Sequence, residues 1–136
     1  MLVSTKGRYA LRLAIYIASR AGEGAVSLRE ASEHEGISLK YLEQLARPLV
    51  AAGILASVRG KGGGYVLARP AADVLAGDVL RAAEGTVAPV GCAGLGGGCE
   101  RAGACPAVGF WSGLDAVVER YVDGVTVADL VPKPVS

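Results

Sequence analysis

The stretch SLREASEHEGISLKYLEQL, residues 27–45, restricts the fold more than any other part of the sequence. Apolar residues recur at helical spacings on both sides of Gly36, which can adopt the left-handed conformation of a tight turn between helices. Ser27 and Ser38 precede the two helical patterns, where serine caps a helix. The sequence therefore predicts two short helices joined by a tight turn, the first opened by a reciprocal capping box between Ser27 and Glu30.

The second of these helices is predicted to have one apolar and one polar face. The polar face carries Lys40, Tyr41, Gln44 and Arg47. Lys and Arg neutralise DNA phosphates, Gln pairs with adenine or a phosphate, and Tyr offers a ring to a thymine methyl group. Pro48 lies inside this helix and removes one backbone hydrogen bond, which predicts a kink or break near residues 46–48.

A glycine-rich stretch, residues 60–64, separates two β-prone runs at residues 55–58 and 65–67. This pattern predicts a β-hairpin with a flexible basic tip. A helix-turn-helix followed by a basic hairpin is a winged helix, in which the second helix enters the major groove and the wing contacts backbone or minor groove. Arg59 is the predicted minor-groove side chain. A phosphate-binding loop would need Ser or Thr after its lysine, and Lys61 is followed by glycine.

The formal net charge of +1 conceals an uneven distribution. Residues 1–70 contain ten Lys or Arg and five Glu, whereas residues 71–136 contain four Lys or Arg and eight Asp or Glu. A polyanion such as DNA would therefore bind the first half of the chain. That half begins with an amphipathic helical pattern over residues 6–20.

The sequence argues against a membrane protein, a secreted protein and an enzyme. Its longest nearly uncharged apolar stretch, residues 49–58, falls well short of the roughly 20 residues that span a bilayer. The N-terminal segment lacks the uncharged apolar run and cleavage pattern of a secretory signal. The single histidine, His34, falls in the helix-turn-helix as a packing or surface residue, so no Ser-His-Asp or Cys-His set can be assembled. We expect a cytoplasmic protein.

The second half of the chain is predicted to contain a turn and short helix at residues 71–85 and an apolar helix with a final turn at residues 108–131. The apolar helix is expected to pair with a copy of itself through Phe110, Trp111, Leu114, Val117, Val118 and Tyr121. The predicted fold is mainly α with a small β-hairpin wing. Its parts are a winged helix-turn-helix at 1–70, a connecting helix at 71–85, a cysteine-rich loop at 86–107, a dimerisation helix at 108–131 and a tail at 132–136.

All three cysteines, Cys92, Cys99 and Cys105, lie in the glycine-rich loop at residues 86–107. In a reducing cytosol, clustered cysteines more often bind metals or act as redox groups than form disulfides. Their C-x6-C-x5-C spacing lacks the close cysteine pairs of structural zinc sites. Thiolates are the usual ligands of iron–sulfur clusters. The spacing therefore favours a loop that wraps around a cluster, with three ligands visible.

Four features resemble one known family. KGRYAL at residues 6–11, GISLKYLEQL at 36–45, SVRGKGGGYVLAR at 57–69, and three cysteines before an apolar helix are similar to the IscR/NsrR-type dimeric bacterial winged-helix regulators. The resemblance implies a homodimer, built on the C-terminal helix, that binds a double-stranded DNA operator with two-fold symmetry. It also implies an iron–sulfur cluster in the cysteine loop as the signal input, with 2Fe–2S preferred to 4Fe–4S.

By position, the resemblance assigns DNA recognition to Ser38, Lys40, Tyr41, Glu43 and Gln44, and the wing contact to Arg59 with Gly60, beside the basic Lys61. It leaves the fourth cluster ligand open. IscR-like members use a histidine where this chain has Val108, and nitric-oxide-sensing members use an acid of the partner's first helix where it has Arg8. Glu100 is the first candidate, followed by an acid such as Asp115 or by an exogenous thiol or water.

Two other functions are compatible with the same residues. The cysteines could form a thiol switch that oxidises directly to a disulfide under stress. Alternatively, the winged helix could dock onto a protein without binding an operator. Replacing Tyr41 and Gln44 with alanine separates the docking module from the regulator, because only the regulator would lose its function.

Overall fold

The computed structural model describes residues 3–88 and 106–133 of the chain. These residues are mainly helical with one two-stranded antiparallel hairpin, which confirms the predicted fold class. The helices are α1 (Thr5–Ser19), α2 (Leu28–Glu35), α3 (Leu39–Ala51), α4 (Ala76–Glu84), α5 (Val108–Val122) and α6 (Val127–Leu130). The strands are β1 (Leu55–Val58) and β2 (Gly64–Leu67), and a 3-10 turn spans Ala71–Asp73. None of the helices in the described ranges is long and apolar enough to cross a bilayer.

Helix α1 lies at the centre of the core and contacts most of the other elements. Its Ala10, Leu13 and Ala14 side chains are fully buried because their spacing of three and four places them on one face. The buried residues around them come from α3, β1, α4 and α6 and include Leu42, Leu49, Leu55, Val79 and Val127. The helix-turn-helix, the wing and the C-terminal segment therefore share one core.

The turn between α2 and α3 forms as the sequence predicts. Gly36 has φ 69° and ψ 27°, the left-handed conformation, and Ile37 is buried beside it. Ser27 accepts the expected hydrogen bond from the Glu30 N–H at 3.1 Å. The reciprocal half of the predicted capping box is wrong, because the Glu30 carboxylate instead accepts a hydrogen bond of 2.6 Å from the hydroxyl of Tyr16. Tyr16 belongs to α1 and is buried, so its hydroxyl requires a partner.

Replacing Tyr16 with phenylalanine is expected to lower the free energy of unfolding at pH 7 by about 1 to 2 kcal/mol, because this hydrogen bond to a carboxylate is lost. The hydrogen bond, followed by burial, raises the pKa of Tyr16 above its ordinary value of 10.0. The folded protein therefore keeps a proton that the unfolded chain releases. The stabilisation is complete below pH 10 and declines as the pH rises through the raised pKa.

Urea unfolding at pH 7 and above pH 10 checks this prediction for Tyr16. The difference in unfolding free energy between the parent and Tyr16→Phe should shrink at the higher pH. Tyr65→Phe is the control, since the Tyr65 hydroxyl forms no hydrogen bond with any residue that the structure describes and lies outside the apolar helix α5. A difference that stays constant between the two pH values would contradict the assigned hydrogen bond.

The sequence predicts a kink or break near residues 46–48, and the break is wrong, because α3 continues through Pro48 to Ala51. Ala46 and Leu49 are buried on either side of the proline and hold both halves of the helix against the core. The carbonyl that loses its donor belongs to Gln44, which lies on the exposed side of the helix. Burial of the flanking residues therefore outweighs a proline penalty of about 3 kcal/mol.

The wing is held at its base by a third segment of the chain. Strands β1 and β2 pair antiparallel, with Leu55 opposite Leu67. Tyr65 of β2 also pairs with Val26 through two backbone hydrogen bonds of 2.8 and 2.9 Å. Val26 lies immediately before the residue that caps α2. The hairpin is therefore attached to the start of α2 as well as to the end of α3.

Gly64→Ala is expected to lower the free energy of unfolding by about 3 kcal/mol. A Cβ at Gly64 would clash with the backbone of Val26 and Ser27, and its φ of 151° disfavours other residues. Gly62→Ala is the matched control, because Gly62 also has a positive φ, 76°, but open space around it. The control should cost about 1 kcal/mol. Urea unfolding measures the free energy of unfolding of both variants. Equal losses of stability in Gly64→Ala and Gly62→Ala would contradict the predicted clash.

The C-terminal part of the chain is attached to the winged helix through α4. The Val127 N–H donates a hydrogen bond of 2.8 Å to the Val74 carbonyl. Arg81 of α4 donates two hydrogen bonds, of 2.9 and 2.8 Å, to the carboxylate of Asp123, and they raise the pKa of Arg81. These contacts fix the C-terminal end of α5, whereas no residue of α5 itself is buried.

Candidate nucleic-acid interface

Helix α3 presents its polar face to solvent. Leu42, Leu45 and Leu49 are buried beneath that face and fix the rotation of the helix about its axis. The residues at the surface are Ser38, Lys40, Glu43, Gln44 and Arg47, with Tyr41 half-buried beside them. Ser38 also caps the helix, because its hydroxyl accepts a hydrogen bond of 3.2 Å from the Tyr41 N–H. The residues predicted for recognition therefore lie together at the start of one exposed helix.

Helix α1 adds cations beside this face, which the sequence reasoning missed. Tyr41 packs edge-on against Tyr9 of α1, with ring centroids 5.8 Å apart. The guanidinium carbons of Arg8 and Arg12 lie 5.9 and 5.3 Å from the centroid of the Tyr9 ring. Both arginines are exposed. The sequence contains the signal for this arrangement. Arg8 and Arg12 are four residues apart with Tyr9 between them, which places all three on one side of a helix.

Arg12 is held in place by the end of α2. Its Nε donates a hydrogen bond of 3.0 Å to the Glu35 carboxylate, and its Nη2 donates a second hydrogen bond to the Glu35 carbonyl oxygen. The second carboxylate oxygen of Glu35 lies 2.7 Å from Nδ1 of His34. His34 is exposed and stacks on Tyr16 at a centroid distance of 4.4 Å. The histidine is thus the packing and surface residue that the sequence predicts.

The wing presents two basic side chains at its tip. Arg59 and Lys61 are exposed, and neither forms an ion pair with any residue that the structure describes. Gly60 between them has φ 94°, and its carbonyl accepts a hydrogen bond of 2.9 Å from the Gly63 N–H, which closes the tip. Both cations are therefore available to an anionic partner.

A strip of apolar side chains on α5 is uncovered in a single chain. Phe110, Val117 and Tyr121 are 67%, 55% and 73% exposed. Leu114 is also exposed, whereas Trp111 and Val118 are half-buried. The strip therefore contains the residues predicted for dimerisation. Monomeric proteins rarely leave a contiguous apolar surface of this kind open to water.

The predicted cluster ligands Cys92, Cys99 and Cys105, together with Glu100, lie outside the described residues. Within residues 3–88 and 106–133, no group of three or more His, Cys, Asp or Glu side chains is placed to hold a metal ion. Asp115 of α5 has an Oδ1 that is shielded from solvent and has no hydrogen-bond partner in the part of the chain described. Three thiolates suit an iron–sulfur cluster, which the cysteine chemistry of this chain therefore fits.

A helix-turn-helix whose second helix exposes a polar face, followed by a basic wing, is the architecture of a DNA-binding transcription regulator. The chain belongs to the Rrf2 family, whose model, described as iron-dependent transcriptional regulator, matches residues 3–133. This match confirms the family resemblance of the sequence.

The similar proteins are transcription regulators. The chain is 38% identical over 131 residues to the HTH-type transcriptional regulator IscR of Serratia proteamaculans (strain 568), which covers 96% of this chain and 79% of the relative. CymR (YrzC), the global cysteine regulator of B. subtilis, superposes with a TM-score of 0.81 at 36% identity, over 96% of this chain and 95% of CymR. The oxidised form of Staphylococcus aureus CymR gives 0.79 and 36%, over 100% of each chain. The relatives' names are those of regulators, as the sequence predicts, and not of enzymes.

Proposed function

We propose that this protein is a cytoplasmic, homodimeric regulator that binds a two-fold symmetric operator and whose affinity for it is controlled by an iron–sulfur cluster in the cysteine segment. The observation that carries the DNA-binding part is the exposed polar face of α3, flanked by Arg8 of α1, which forms no ion pair with any residue that the structure describes. A positive surface beside hydrogen-bonding side chains combines phosphate neutralisation with base readout. Family membership supports the same conclusion.

The side chains of α3 and the wing have distinct roles in this proposal. Gln44 donates to and accepts from an adenine edge, and Tyr41 contacts a thymine methyl group, while Glu43 accepts from a cytosine amino group. Ser38 and Lys40 bind phosphates at the start of the helix. On the wing, Arg59 enters the minor groove, with Gly60 allowing its close approach and Lys61 neutralising a phosphate.

A second copy of the chain covers the apolar strip on α5. The strip runs along α5, a helix of 15 residues that is about 22 Å long. This length is enough for two antiparallel copies of the helix to bury a continuous surface. Two copies related by a two-fold axis present two α3 helices to one side of a duplex. Such dimers read half-sites about 34 Å apart, which is one turn of DNA.

Cys92, Cys99 and Cys105 would hold the cluster, with Glu100 as the first candidate for the fourth ligand, followed by an acid such as Asp115 or by an exogenous thiol or water. A bound 2Fe–2S cluster would serve as the signal input, because oxidation or iron shortage would remove it. The cysteine segment joins α4 to α5 in sequence, so gain or loss of the cluster would act on the two helices that flank it. Such coupling would change operator affinity by about 1 to 3 kcal/mol, the usual size of allosteric coupling.

Protein purified without oxygen from iron-replete cells is expected to be coloured, to contain iron and sulfide, and to bind its own upstream DNA. Iron and sulfide assays, a visible absorption spectrum and fluorescence anisotropy measure the three properties. Replacing all three cysteines with alanine should remove the colour and iron and change the operator Kd. A colourless, iron-free parent protein would contradict the proposed cluster. A parent protein that does not bind its upstream DNA would contradict the proposed operator.

A thiol switch is the second candidate, since a relative of the same fold has been solved in an oxidised form. In that case two of the three cysteines lose their hydrogens and form a disulfide when the protein meets an oxidant. Mass spectrometry of oxidised, iron-free protein would show a loss of two hydrogens that a reductant reverses. A mass unchanged by the oxidant would remove this candidate.

A further inference from the structure

The carboxylate of Glu84, the last residue of α4, is bound to the start of α1. It accepts a hydrogen bond from the Ser4 backbone N–H and a second, of 2.7 Å, from the Ser4 hydroxyl. Ser4 is the residue that caps α1, and its hydroxyl oxygen also accepts a hydrogen bond from the Lys6 N–H at 3.2 Å. A residue 80 positions along the chain therefore anchors the first turn of α1.

Two features of α1 are suited to this anchor. Gly7 is buried, and a Cβ there would lie 2.9 Å from Oε2 of Glu84 and 3.1 Å from its Cγ, so glycine leaves the room that the carboxylate occupies. The first turn of α1 contains no acidic residue of its own. The N-terminal end of a helix carries partial positive charge, to which Lys6 and Arg8 add. Glu84 supplies the negative charge that this end of the helix lacks.

The anchored turn lies between the end of α4 and the DNA-reading side chains. Lys6 lines a cavity of about 280 Å³ together with Tyr41 and Gln44 of α3. Ala83, the neighbour of Glu84, lines the same cavity. One turn further along α1, the Tyr9 ring packs on Tyr41. These contacts connect the end of α4 to Tyr41 through α1.

The end of α4 is also where the chain leaves for the cysteine segment. Gly85 ends the helix in the left-handed conformation, with φ 87°. Cys92 follows Glu84 by eight residues. Glu84 therefore lies close in sequence to the first cysteine, and its carboxylate binds the residue that caps α1.

We propose that Glu84 is a positioning residue that transmits the state of the cysteine segment to the DNA-reading face through Ser4 and the first turn of α1. This inference rests on the proposed function, since it assumes operator binding by Tyr41 and Gln44. Glu84 contacts neither the DNA nor the cluster in this scheme. Its carboxylate keeps α1 in register with α4, so that a shift of α4 moves the side chains on α3.

The test compares operator binding in two backgrounds of the full chain, the parent and the Cys92→Ala, Cys99→Ala, Cys105→Ala triple variant, each with and without Glu84→Gln. In the parent, loss of the cysteines should change the operator Kd by about 5- to 150-fold. With Glu84→Gln the same loss should change it by no more than about 2-fold. The charge removed is the same in both backgrounds, so the comparison cancels its general effect on DNA affinity. Glu33→Gln, an exposed carboxylate of α2, should keep the full factor.

Gly7→Ala provides an independent variant that keeps every charge and every cysteine. Its added Cβ displaces the Glu84 carboxylate, although alanine is a better helix former than glycine. The cysteine-dependent factor should fall as in Glu84→Gln, and amide hydrogen exchange in the first turn of α1 should become faster in both variants. Thermal unfolding identifies a variant that does not fold, and the other variant then decides.

Two results would overturn the proposal in distinguishable ways. A full cysteine-dependent factor in both Glu84→Gln and Gly7→Ala would remove the role of Glu84 and leave the regulator intact. If the operator Kd of the triple cysteine variant equals that of the parent, the proposed regulation by the cysteines is wrong, and so is the role of Glu84.

Discussion

Replacing both Tyr41 and Gln44 with alanine is expected to weaken operator binding about 100-fold or more. Both side chains lie on the surface of α3 that the buried leucines turn outward. A specific contact to a base contributes about 1 to 3 kcal/mol, and two lost contacts correspond to a loss of this size. Fluorescence anisotropy with the protein's own upstream DNA measures it.

The salt dependence of binding is the internal control for this pair. Neither side chain is charged, so the slope of affinity against salt concentration should stay the same while the affinity falls. Val50→Ala is the matched control on the same helix, since Val50 is 38% exposed and lies on the side away from Tyr41. An unchanged operator affinity in the double variant would favour the protein-docking function over operator binding.

Val117→Glu is expected to convert a dimer into a monomer and to weaken operator binding by about 100-fold or more. Val117 lies in the apolar strip of α5 and is 55% exposed, so a charge there costs little in a single chain. Covered by a second copy, the same carboxylate would be buried without a partner. A monomer also loses the gain of about 100-fold or more from binding two half-sites at once. Analytical ultracentrifugation and anisotropy measure the two effects.

The control for Val117→Glu is Arg120→Ala, an exposed change on the same helix that should alter neither property. Thermal unfolding should show that both variants fold, because α5 contributes no buried residue to the core. A Val117→Glu protein that sediments as the parent does would contradict the proposed interface on α5.

The local parts of the fold were predictable because short-range rules determine them. Gly36 and the two capping serines define the helix-turn-helix within 12 residues of sequence, and the structure has the turn where the pattern indicates. The wing follows from a glycine run between two β-prone segments. The break predicted at Pro48 was wrong because a local penalty was weighed without the burial of Ala46 and Leu49, which only the tertiary structure defines.

The parts of the site that the sequence did not reveal depend on residues far apart in the chain. Glu84 meets Ser4 across 80 positions, and Arg12 meets Glu35 across 23. Periodicity places each of these residues on a helix surface but does not pair the surfaces. Glu30 shows the same limit of local reasoning. Its spacing from Ser27 predicted that its carboxylate would bind the nearby Ser27 N–H, but the carboxylate binds the distant Tyr16 hydroxyl instead.

In the proposed operator complex, the pairing of Tyr65 with Val26 is expected to fix the length of the DNA segment that one subunit can read. It attaches the wing to the start of α2, so the hairpin cannot pivot independently of α3. In that complex we expect the spacing between Arg59 and Gln44 to vary little. One inserted base pair moves the two contact points on the duplex apart by about 3.4 Å. We therefore expect the proposed half-sites to tolerate changes of base identity more readily than changes of length.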